Sequence, residues 1–164
     1  MTGTPRPVVF LPVTGGQASR LVAEGLLGGP LPGYSATADL CATFDLAPGG
    51  EDAEFAAFQV ASVAALLAGS SRLVLVARPR TALLNQAGEQ GNGGVEIGAL
   101  ELHEVEAFFT DTEPSVCRSA SRGAAGHTID EAWELPEVQA VLAEHPLSWH
   151  DVSELAAHLE LQEG

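Results

Sequence analysis

Apolar and polar positions alternate along the chain in blocks that predict an interleaving of strands and helices. Val8-Val9-Phe10-Leu11 is a continuous apolar run closed by Pro12, the pattern of a buried strand ending at a breaker. Thr14-Gly15-Gly16-Gln17 follows with the spacing of a capping box, and it predicts a helix from Gly15 to Leu27 stopped by Gly28-Gly29-Pro30. Tyr34-Ser35-Ala36 reads as a short second strand, and Thr37 as the cap of a brief helix carrying Leu40, Cys41 and Phe44 on one side. Glu51 to Ala68 places Phe55, Phe58, Ser62, Val63, Leu66 and Leu67 at three-to-four-residue spacing, with acids in its first turn and Gly69 at its end. This is the strongest helix signal in the chain.

Arg72 to Ala77 is rich in β-branched residues and predicts another buried strand; a helix feeding directly into such a run suggests a parallel sheet unit. Residues 85–94 hold four glycines and no periodicity, and they read as a mobile loop. Val95-Glu96-Ile97, with one polar face, and Val105 to Phe109 predict two further strands. Thr112-Glu113-Pro114 opens a short helix through Cys117 and Arg118, and Ser119 to Gly126 reads as a loop. Beyond Thr128 the outline is helical. Thr128 to Glu131 forms a capping box, Pro136 suits the first turn of a helix over 137–144, and Asp151 to Glu154 caps a last helix with Val152, Leu155, Ala156 and Leu159 inward. The expected fold is α/β, with α+β as the alternative. It is one domain over 1–164, a mixed sheet of four to five strands flanked by helices, with residues 128–164 as an acidic helical tail packed on it.

These patterns resemble those of a family of uncharacterised small proteins from high-GC bacteria. The resemblance rests on Val9 to Pro12, on the alanine-rich helix Phe55 to Leu67 leading to Leu73 to Val76, on Val95 and Val105 to Asp111, and on Leu147 to Leu155. It spans most of the chain and implies a single whole-chain domain. It implies no activity, cofactor or catalytic residue.

Composition narrows the function classes. Hydrophobic residues make up 46% of the 164, enough to build a core, and only 18% are charged. The longest apolar window, Phe55 to Ala68, is interrupted by Gln59 and Ser62 and falls short of the roughly 20 apolar residues of a membrane span. The apolar run after Arg6 is too short for a signal-peptide core, so a cytoplasmic location is expected. Twenty-two acids oppose seven bases for a net charge of −15; every base is arginine. Sixteen of the acids lie from Glu89 onward, beside two arginines. Such a field repels phosphate backbones, which argues against nucleic-acid binding, and favours a basic protein partner, with self-association as the alternative. The two cysteines, Cys41 and Cys117, have no paired spacing and read as buried thiols; no local signature joins either to His103 or His127 as a nucleophile and base.

Three groups of residues are candidates for chemistry. Thr14, Gly15 and Gly16 open a helix after a strand, as anion sites do. Arg78 and Arg80 would lie near them if the strand at 72–77 ran parallel to the one at 8–11. This would make an anion- or nucleotide-binding domain or a small enzyme. His150, Glu154 and His158 have helical i, i+4, i+8 spacing and form a weak metal candidate; no cofactor is expected. Trp133 and Trp149, the only tryptophans, stand among acids as contact-surface aromatics do. The leading expectation is a non-catalytic intracellular binding or regulatory protein that uses its acidic C-terminal half.

Overall fold

The computed structural model describes residues 6–68, 72–111 and 114–163. Its centre is a seven-stranded sheet in which every pairing is antiparallel. The strands are β1 (Val9–Pro12), β2 (Leu26–Tyr34), β3 (Leu73–Ala77), β4 (Leu84–Asn85), β5 (Gly94–Glu101), β6 (Val105–Thr110) and β7 (Ser148–Asp151), in the spatial order β4-β5-β2-β1-β3-β6-β7. Helices cover both faces. On one side Phe10 and Val74 meet α2 (Ala38–Phe44), α3 (Glu51–Leu67), α4 (Arg118–Ala124), α5 (Ile129–Trp133) and α6 (Pro136–Glu144). On the other, Val9, Leu11 and Leu75 meet α1 (Gly15–Glu24) and α7 (Leu155–Glu163).

This double cover explains why the expected parallel unit is absent. A strand buried on both faces is apolar at every position whichever way it runs, so Val9-Phe10-Leu11 and Leu73 to Val76 carry no information about direction. β1 and β3 run antiparallel, with Val9 opposite Ala77 and Pro12 opposite Val74.

The strand count also exceeds the expected four to five, for reasons visible in the residues. α1 stops at Gly25, which takes the left-handed conformation at φ 75°, and Gly28-Gly29-Pro30 continues β2 where a helix stop was expected. A Cβ on Gly29 would stand 2.5 Å from the Ile97 carbonyl oxygen, so only glycine fits at that irregular register step. β1 joins β2 only at Phe10 opposite Tyr34, so the prolines of β2 interrupt no continuous ladder on that side. β4 and β7 are short and largely polar, and the tail expected to be helical contributes β7 to the sheet edge. α4 takes in residues 119–124 of the loop expected from Ser119 to Gly126; the expected helix signals at Gly69 and at Thr112 and Glu113 lie outside the described residues.

α3 buries Ser62, Val63 and Leu66 of its expected face, together with Ala53, Ala57, Val60, Ala61 and Ala65, small side chains that let the helix lie close on the sheet, whereas Phe55 is 58% exposed. The glycine-rich segment 85–94 starts with the end of β4 and closes through a short 3-10 turn at Gln90–Asn92.

Candidate functional site

A groove runs along the outer helical face where α2, α3, α5 and α6 meet. α2 ends at Asp45, whose left-handed backbone (φ 54°) turns the chain so that Phe44 and Leu46 both reach the groove. From α3 come Asp52 and Phe55, and from α6 comes Leu142; together they line an apolar cavity of about 450 Å³. Trp133, the last residue of α5, closes one side, and its carbonyl accepts a hydrogen bond from the Gln139 side chain.

Trp133 also belongs to a second cavity of about 240 Å³, lined by Asn92, Asp130 and Glu134. Phe44 lines both cavities, and its ring lies 5.9 Å from that of Trp133 at 56°. This aromatic pair therefore divides an apolar lobe from an acidic one. Asn92 is buried and its amide nitrogen donates both to Glu89 (2.8 Å) and to Asp130 (2.9 Å), which fixes two carboxylates beside the smaller lobe. No arginine lines either lobe among the described residues.

The sequence-expected residues fall as follows. Thr14 caps α1 as expected: its hydroxyl accepts from the Gln17 amide (3.1 Å) and its own amide donates to the Gln17 side chain (2.9 Å). Arg78 and Arg80 are not beside it. Because β3 runs antiparallel to β1, Arg78 sits at the Val9 end, roughly 17 Å of strand from Thr14 at about 3.4 Å per residue. There Arg78 donates to Glu106 (2.7 Å) and to the Arg6 carbonyl (2.6 Å), while the Arg80 amide donates to Glu104 (2.6 Å). The composite anion site of Thr14, Gly15, Gly16, Arg78 and Arg80 does not assemble.

His150, Glu154 and His158 do not share a helix. His150 lies on β7, Glu154 in a 3-10 turn and His158 on α7. The His150 ring stacks on Phe108 at 5.1 Å between centroids, the His158 ring lies tilted against it at 5.4 Å, and the two imidazoles are 6.2 Å apart. Burial, then the neighbouring His150, holds the His158 imidazole below its usual pKa. Among the described residues no three His, Cys, Asp or Glu side chains converge as metal ligands. Trp149 is 59% exposed on β7, opposite Phe109, and does not line the groove.

One polar cluster has no counterpart in the sequence reading. Arg72, 1% exposed, forms a two-pronged pair with Asp111 (3.2 and 2.6 Å), donates to the Ser62 hydroxyl (2.9 Å) and to the His145 carbonyl. Cys117 donates its thiol to Asp111 (3.0 Å), and burial with that bond pushes its pKa up to about 11. The cluster ties α3, β3, β6 and the ends of the 3-10 turn before α4 and of α6 together. Its thiol faces a carboxylate and not a histidine: His103 and His127 pair instead with Glu101 and Glu131 at the surface. Cys41 is likewise buried and free.

Residues 8–159 match the family model described as a family of unknown function, DUF6912, and the chain belongs to that family. No curated protein and no solved structure matched the chain. No helix among the described residues is long and apolar enough to cross a membrane.

Proposed function

We propose that this member of a family without an assigned activity is a non-catalytic binding protein, and that its two-lobed groove takes a polypeptide segment bearing one large apolar side chain and one nearby arginine or lysine. The observation that carries this reading is the Phe44–Trp133 pair standing between an apolar cavity and an acidic one. An apolar anchor suits the lobe walled by Phe55 and Leu142. A cation in the other lobe meets Asp130 and Glu134 and has the Trp133 ring beside it.

Charge complementarity selects a basic partner over a second copy of the chain, since two surfaces of net charge −15 repel. The acids that serve come from both halves, Asp52 from the first and Asp130 and Glu134 from the second. Burying one anchor contributes about 1.5–3 kcal/mol and a cation over an indole about 0.5–2 kcal/mol. Against the ordering cost of a peptide, these two contacts support an affinity no tighter than about the millimolar range.

The test uses the Trp149→Phe variant, which leaves Trp133 as the only indole. Its emission is followed while peptides with one Phe or Leu anchor and an arginine at varied spacing are added. A saturable change that Phe55→Ala removes, and that weakens as salt rises from about 0.05 to about 0.5 M, supports the groove. Peptides that leave Trp133 emission unchanged, or binding indifferent to Phe55→Ala, overturn it.

A further inference from the structure

Phe55 and Trp149 are two of the five large apolar side chains left exposed among the described residues, and a line of aromatic rings joins them. Phe55 and Phe58 lie one turn apart on α3, with ring centroids separated by 6.2 Å, and the Phe58 ring is 4.5 Å from that of Phe109 on β6. Trp149 stands directly opposite Phe109 where β7 pairs with β6. Opposite residues of an antiparallel pair carry their side chains on one face, about 5 Å apart at Cβ. The line begins at a wall of the groove, since Phe55 lines the apolar lobe, and it ends on the edge strand β7.

Packing accounts for the middle of this line and not for its ends. Phe58 is half-buried and meets Phe10 edge-on (5.7 Å, 62°), and half-buried Phe109 is held by Phe58. Phe55 and Trp149 are each more than half exposed, so the fold takes little burial from either. The charges at the two ends have one sign. Glu51, Asp52 and Glu54 precede Phe55, while Glu144, Asp151 and Glu154 flank Trp149; all six are exposed, and no arginine occurs in residues 51–58 or 144–154. A contiguous apolar strip rimmed by one sign of charge suits a partner of the opposite sign. A second copy of the chain, at net charge −15, is the wrong sign.

We infer that the aromatic line extends the groove into one contact track, and that the basic polypeptide segment it takes carries a second large apolar side chain, which rests on Trp149 four residues from the first. This inference rests on the groove reading and adds a spacing to it. An extended chain advances about 3.3 Å per residue, so the three ring-to-ring steps correspond to roughly four to five residues. Side chains that face one surface recur at every second residue, which selects four. The order of contacts follows from the same layout. The acidic lobe lies beyond the Phe44–Trp133 pair, so the cation of the segment sits on the far side of the first anchor from the second.

The test follows the two indole N–H signals of the full chain by NMR, assigned with Trp133→Phe and Trp149→Phe. Three arginine-containing peptides are added: one with a single Leu anchor, one with anchors at i and i+4, and one with anchors at i and i+3. The single-anchor peptide should move the Trp133 signal alone. The i, i+4 peptide should move both signals with one common Kd, about tenfold tighter, whereas the i, i+3 peptide should gain less than about twofold. Trp149→Ala, at an exposed position on which folding does not depend, should return the i, i+4 peptide to the affinity of the single-anchor one. A gain that survives Trp149→Ala, or no gain while the single-anchor peptide still moves Trp133, overturns the inference and leaves the groove reading standing. Movement of the Trp149 signal alone, indifferent to Phe55→Ala, overturns the groove reading and the track with it, as does a failure of every peptide to move either signal. A Trp149 signal that shifts with protein concentration in the absence of peptide assigns this face to a second copy and overturns the inference.

Discussion

On the same helix-covered side of the sheet, one buried carboxylate and two exposed ones meet opposite fates. Asp111 is buried against Arg72 with its oxygens fully engaged, whereas Asp130 and Glu134 face an open lobe into which no arginine reaches among the described residues. A buried carboxylate holds this fold together only because its cation is buried with it; an exposed one without a cation leaves charge available to a visitor. Acid count alone does not separate the two, and partner geometry does.

The sharpest break of this comparison is Asp111→Ala, which strands the Arg72 guanidinium. Urea unfolding should show a loss of about 3–5 kcal/mol, and a loss under 1 kcal/mol would put Asp111 in the same class as the surface acids. Ser62→Ala removes one acceptor of the same guanidinium and should cost about 1–3 kcal/mol in that assay. The double variant Asp130→Asn, Glu134→Gln should change stability by no more than about 0.5 kcal/mol while abolishing the salt dependence of peptide binding; an equal loss of stability would make those carboxylates structural too.

The smallest effect concerns the half-sealed pair on the opposite face. His158 has its pKa depressed below 6.5, so the unfolded chain takes up its proton first as pH falls. Its contribution to stability is present above 6.5 and is lost as pH drops through the window below that value. His158→Gln should flatten this part of the stability-against-pH curve relative to the wild type, and identical curves would show that burial of the ring has no energetic weight.

What could be read from the sequence was local. Thr14 with Gln17 and Thr128 with Glu131 form the expected capping boxes, and Asp151 with Glu154, expected to cap the last helix, forms one on the 3-10 turn that leads into it, because three-residue spacing fixes both partners. Trp133 stood out as an aromatic among acids, and it lines the groove. Its companions Phe44, Asp52 and Phe55 did not, because they reach the groove only when four helices assemble, and Phe55 had been assigned to the core. The Arg72–Asp111 pair joins residues 39 positions apart, a span at which no periodicity reports contact. Strand direction was hidden for a different reason: helices on both faces erase the alternation that would have betrayed an antiparallel sheet.

The position of β7 has a consequence for how the chain is made. Until Ser148–Asp151 pairs with it, β6 is an open sheet edge carrying Phe108 and Phe109, the type of edge that recruits other chains. Ser148 comes 38 positions after Thr110, so a ribosome adding about 5–20 residues per second leaves that edge bare for roughly 2–8 seconds. The His145 carbonyl that receives Arg72 arrives in the same stretch of synthesis, so the edge and the buried cation are covered together near the end of translation of this segment.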